Sequence, residues 1–216
     1  MKPRDKQMMP AAAATVWLIA ALIALAHLVR LIFVPADGWR EQEFFVLCAL
    51  YPLYVPENPV SLFSHMLIHD SWLHLGLNLL IFVIAGLRIA PNLGAAAPLK
   101  VLALTLVSGL SGAAAVILAA PDSEVGVIGF SGAASGIAAA FLIRALFQTG
   151  APWSRRLAIR AAIVLAGLLI GLAIEIVWRP DGQGIAWEAH LGGMAGGAAL
   201  YALMSLAAKP THTAMS

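Results

Sequence analysis

The chain has 216 residues, 61% of them hydrophobic and only 11% charged, with a formal net charge of +2 and a mean hydropathy of +0.89. A soluble domain is about 45–50% apolar and about 25% charged, and one of this size keeps too much surface in water to hide the excess. The composition excludes a disordered chain, a nucleic-acid binder and an ordinary water-soluble enzyme, and makes the lipid bilayer the chain's solvent.

A helix needs about 20 mostly apolar residues to cross a bilayer. Six stretches meet or approach this: residues 11–34, 72–90, 101–120, 125–143, 157–178 and 189–208. Pro35, Pro56, Pro59, Pro91, Pro98, Pro121, Pro152 and Pro180 fall between them, where breakers belong. The reading is an all-α membrane protein, a bundle of six transmembrane helices over residues 11–208. It has short tails at 1–10 and 209–216 and one long connection at about 35–71. Cys48 is alone, so no intrachain disulfide forms.

Lys and Arg accumulate in cytoplasmic loops. Lys2, Arg4, Lys6, Arg88, Lys100, Arg144, Arg155, Arg156, Arg160 and Lys209 fall on one side of the six spans, and only Arg40 and Arg179 on the other, with Arg30 just inside. Ten against two puts both termini in the cytoplasm, in a multi-pass protein expected in a bacterial inner (plasma) membrane. The basic start and apolar run also describe a signal peptide, with Ala24-Leu25-Ala26 as a cleavage site. The length of the run and the polytopic chain after it favour an uncleaved first span.

The long outer loop mixes Trp39, Phe44, Phe45, Tyr51, Tyr54 and Phe63 with acids and prolines, so it is expected to lie in the headgroup layer. Small residues crowd the later spans at three- or four-residue spacing, as Gly109/Gly112, Gly132/Gly136 and Gly192, Gly193, Gly196, Gly197. Such stripes let helices approach closely in lipid.

Polar side chains inside a span are expensive and face the bundle interior. On span two, Asp70 or Ser71 can cap the helix start, with His74 in the first turn and Asn78 one turn deeper on the same face. Span four carries Gly129-Phe130-Ser131-Gly132, and span six opens with Ala189-His190-Leu191-Gly192-Gly193. The charge-derived orientation brings all three spans in from the outer face, so Ser131, His190, His74 and Asn78 share one depth. A serine becomes a nucleophile when a base within hydrogen-bond reach takes its proton, and His190 suits that task. The Ser131 N–H at a helix start, His74 and Asn78 can supply donors to an oxyanion. Gly129 and Gly132 remove bulk where a substrate backbone must approach. Taken singly, Ser131 reads as packing, Asn78 as interhelical glue, His190 as a core histidine, and His65 and His69 as braces of the loop.

Together these residues resemble the rhomboid family of intramembrane serine proteases, over about residues 63–202. Ser64-His65-Met66-Leu67-Ile68-His69 followed by His74-Leu75-Gly76-Leu77-Asn78 is similar to the family's paired histidines and His-x-x-x-Asn signature. Gly129-Phe130-Ser131-Gly132 with Gly136 resembles its nucleophile motif, and Ala189-His190 with Gly193 and Gly197 its last core span. The resemblance implies a six-helix core, a Ser131–His190 dyad and an oxyanion site of His74, Asn78 and the Ser131 N–H. His65, His69, Gly129, Gly132, Gly193 and Gly197 become structural supports. It further implies cleavage of membrane-spanning protein substrates near the outer end of their helix, without metal or cofactor. Two positions depart from the family pattern. Ser135 stands where many members carry an aromatic that packs on the base, and Val60-Ser61 where many have Trp-Arg.

The competing readings are a catalytically inactive rhomboid-like protein that binds or chaperones membrane helices, and a metal-dependent membrane hydrolase or transporter using His65, His69, His74 and His190. His65-Met66-Leu67-Ile68-His69 lacks the glutamate of His-Glu-x-x-His, and on one continuous helix His65 and His74 would face opposite ways.

Overall fold

The computed structural model describes residues 3–34, 38–94, 96–147 and 186–207. In chain order these form α1 (Pro3–Phe33), α2 (Trp39–Cys48), α3 (Ser61–Ser64), α4 (Trp72–Ile89), α5 (Ala97–Ala119), α6 (Ser131–Phe147) and α7 (Trp187–Ala207). Short 3₁₀ turns occupy Pro52–Tyr54, His65–Leu67 and Ala90–Asn92. The expected fifth span at 157–178 and the tail at 209–216 lie outside the described residues.

Three of the described helical stretches are long and apolar enough to cross a membrane: Ala11–Phe33, Trp72–Asn92 and Ala97–Ala119. The first helix begins at Pro3, so it runs through most of the segment that composition marks as a tail, and turns apolar only from Ala11. Its buried residues, Ala12, Val16, Ala20, Ile23, His27 and Arg30, recur every three or four positions and form one stripe against the bundle. Trp17, Leu18, Leu22 and Leu25 on its other faces are exposed. Ser71 caps α4, its Oγ accepting the His74 N–H at 3.2 Å from an extended backbone. Pro98 sits in the first turn of α5, where its fixed φ and missing N–H cost nothing.

The fourth span departs from expectation. Hydropathy starts it at 125, but α6 begins at Ser131. The residues before it are extended: the Val127 N–H donates to the Leu50 carbonyl and the Leu50 N–H to the Val127 carbonyl, each at 2.9 Å. Gly129 then turns the chain at φ +116°, a region that side chains rarely adopt. An apolar run reads the same whether it is extended or helical; here pairing with Leu50 in the long loop and the glycine turn decide.

Val16, Phe82, Val101, Leu104, Ile137 and Tyr201 lie at the centre of the core, which joins α1, α4, α5, α6 and α7. The small residues expected at close approaches are at them. A Cβ built on Gly193 or Gly197 would run into the backbone carbonyls of Gly132 or Gly136 on α6, and one on Gly192 into Ser111 on α5. So α7 is wedged between α5 and α6 at backbone contact.

The long loop is folded against one end of this bundle. Arg30, 6% exposed near the end of α1, is ion-paired with Glu41 of α2 and stacks over the Phe45 ring at 5.1 Å. Asn58 Nδ2 donates to the Leu47 carbonyl and Ser64 Oγ to the Cys48 carbonyl, both at 2.8 Å. At the opposite end, Arg144 donates to the Arg88 carbonyl at 3.2 Å and to Asn92 Oδ1 at 2.9 Å, satisfying groups at the end of α4.

Candidate active site

Ser131 is the first residue of α6, and its approach is held by the two loop histidines. The Gly129 N–H donates to the His65 carbonyl at 2.8 Å, and the Phe130 N–H donates to His69 Nε2 at 3.2 Å. His65 is itself tied by Nδ1 to the Ser61 carbonyl at 2.7 Å. Both rings are buried. Burial pushes His65 below the usual imidazole range, and burial with the neighbouring His74 ring takes His69 down to about 3. A neutral His69 is what accepting the Phe130 N–H requires. Each of these histidines thus turns a ring nitrogen to the backbone rather than into a shared ligand position.

Gly129 also brings α4 to the start of α6. A Cβ at this position would stand 2.8 Å from His74 Nε2 and 3.6 Å from Asn78 Nδ2, so both side chains converge on the turn two residues before Ser131. Asn78 is buried, and among the described residues its Nδ2 has no hydrogen-bond partner. A buried amide donor without a partner is uncommon, and here it stands beside the Gly129 turn that leads into α6. His74 Nδ1 lies 3.0 Å from Asp70 Oδ1.

His190 is the fourth residue of α7 and is partly buried. Its helix is pinned to α6 one residue from Ser131: a Cβ on Gly132 would lie 3.2 Å from the Ala189 carbonyl, and one on Gly112 of α5 would lie 2.7 Å from the same oxygen. Ser131 and His190 are thus the neighbours of two residues in backbone contact. Ser135, one turn after Ser131, is buried and offers no aromatic ring to His190.

Sequence reasoning missed two participants. Asp70 was weighed only as a cap, yet the cap is Ser71 and Asp70 pairs with His74; an acid four residues before a histidine was the available signal. His27, inside the first span, packs edge-on against Trp72 with ring centres 4.6 Å apart and against His69 at 6.2 Å. A histidine in a membrane helix signals such a role by itself.

No curated protein gives a significant match to the sequence. Residues 56–207 match the family model for the rhomboid domain, a segment that runs from the loop in front of His65 through the whole of α7. The long apolar helices make the chain an integral membrane protein, and that match, over most of its length, makes it a member of the rhomboid family of intramembrane proteases.

Proposed function

We propose that the chain is a serine endopeptidase that cuts membrane-spanning proteins near the outer end of their transmembrane helix, through a Ser131–His190 dyad. His190 takes the proton of Ser131 Oγ as that oxygen attacks the scissile carbonyl. His74, Asn78 and the Ser131 N–H hold the resulting oxyanion. His190 returns the proton to the leaving amine, and water then hydrolyses the acyl-enzyme by the same route in reverse. The convergence of His74 Nε2 and Asn78 Nδ2 on the Gly129 turn carries this reading, because packing alone gives no reason to aim two donors there.

The depth of Ser131 supports the choice of substrate. Thirteen residues separate it from Arg144, about 20 Å of helix, against a hydrocarbon thickness of about 30 Å. With Arg144 at the inner boundary, Ser131 sits about 10 Å below the outer one, within reach of the end of a substrate helix and of entering water. The wider arrangement proposed is six spans with both termini cytoplasmic, in the plasma membrane.

The buried Ser135 favours one second reading, an inactive family member that binds membrane helices. A fluorophosphonate probe on the purified protein, with Ser131→Ala beside it, separates the two. Labelling that depends on Ser131, together with cleavage of a single-span substrate in liposomes, supports the protease. An unlabelled wild type that still binds the substrate supports the alternative.

A further inference from the structure

Asp70 lies one helical turn before His74, its Oδ1 3.0 Å from His74 Nδ1. A carboxylate only accepts hydrogen bonds, so the proton in this contact sits on Nδ1. The other ring nitrogen, Nε2, is the one that faces the Gly129 turn. A neutral imidazole carries a single N–H. A neutral His74 bonded to Asp70 would therefore aim a lone pair at the turn before Ser131, and a lone pair repels an oxyanion. We propose that Asp70 is a positioning residue that keeps His74 doubly protonated, so that Nδ1–H is held by the carboxylate while Nε2–H is presented to the oxyanion. This deepens the protease reading and rests on it.

The surroundings support this assignment. The hydrogen bond from His74 holds the Asp70 carboxyl down to about 2, which keeps it charged throughout the neutral range. Ser71 Oγ donates to the same Oδ1 at 3.0 Å and orients it. Facing His74 are His69 from the loop, its ring centre 5.0 Å away, His27 from α1, with Arg30 one turn beyond it, and His190 from α7. The titratable side chains of α5 and α6, Lys100 and Arg144, lie at the opposite end of the bundle. Among the described residues Asp70 is the carboxylate in contact with His74.

Ring-¹⁵N spectra of histidine-labelled protein in detergent at pH 7 test the proton count directly, with His74 identified by the signals lost in His74→Gln. Both ring nitrogens of His74 should be protonated in the wild type, and one should lose its proton in Asp70→Asn. In parallel, the ratio of Ser131-dependent cleavage at pH 8 to that at pH 6 should fall by about tenfold in Asp70→Asn, a fraction of the effect of losing a whole oxyanion donor. Asp70→Glu should restore part of it. A wild-type His74 with a bare ring nitrogen, or unchanged spectra and pH ratio in Asp70→Asn, overturns the assignment. Spectra as expected, in a protein without Ser131-dependent cleavage, would uphold the proton count and remove the protease reading instead.

Discussion

Gly132 and Ala189 meet at backbone distance: a Cβ on the glycine would stand 3.2 Å from the alanine carbonyl. Each is the chain neighbour of a proposed dyad member, so the spacing of α6 and α7 sets the spacing of Ser131 and His190. The absence of an aromatic at Ser135 gives this contact more weight, since it leaves the orientation of the proposed base to the packing of its helix. A methyl on Gly193 would collide with the Gly132 carbonyl, which has no room to rotate away. Gly193→Ala should lower cleavage by about 10²-fold, the scale of a roughly 1 Å misplacement. Gly76 has open space around its Cβ position, so Gly76→Ala should leave activity unchanged and stabilise α4 by up to about 1 kcal/mol. Liposome cleavage and thermal unfolding of both variants check this, and equal losses would remove the wedge argument.

The oxyanion donors should act on turnover. Asn78→Ala or His74→Ala should reduce kcat by up to about 10²–10³-fold with little change in KM. If KM rises while kcat holds, both residues belong to substrate binding or structure.

Much of this site was legible in the sequence because its polar residues stand out against lipid. Ser131, His190, His74 and Asn78 are costly in a span, and counting Lys and Arg led to the expectation of one shared depth. What hydropathy could not separate was Val125 to Phe130 from a helix, because apolar residues in an extended pairing score the same as apolar residues in a helix. The clamp of Arg30 on Glu41 and Phe45 depends on how a loop folds back, which no periodicity encodes. His65 and His69 were read as braces of their own loop, yet they hold the turn entering α6, a contact some sixty residues away in sequence.

The buried histidines make the fold sensitive to acid. His69 is held down to about 3 by burial and by the His74 ring, below the roughly 6.5 of an unfolded chain. Between these values the unfolded state takes up a proton that the folded state refuses. The stability is therefore complete above about pH 6.5 and declines toward pH 3, by up to about 1.4 kcal/mol per pH unit for one group. His65 moves in the same direction by burial. Melting temperatures in detergent between pH 7 and pH 4 should fall for the wild type. His69→Gln should start lower and fall less steeply; parallel curves would assign the acid sensitivity elsewhere.

The Arg30–Glu41 pair ties α2 in the long loop to α1, and its two halves are unequal. Arg30 is almost fully buried, while Glu41 keeps 30% of its side chain exposed. Removing the carboxylate alone leaves a buried guanidinium without its counter-charge, and losses of about 3–5 kcal/mol follow from breaking fully buried pairs. The exposure of Glu41 places this pair below that range. Glu41→Gln should therefore destabilise the protein, and Arg30→Met with Glu41→Leu should recover most of the loss, because apolar replacements of a buried pair are often neutral. Thermal unfolding of the two variants reads the difference. A double variant less stable than Glu41→Gln would mean that the charges themselves, rather than the filling of the space between α1 and α2, hold the loop in place.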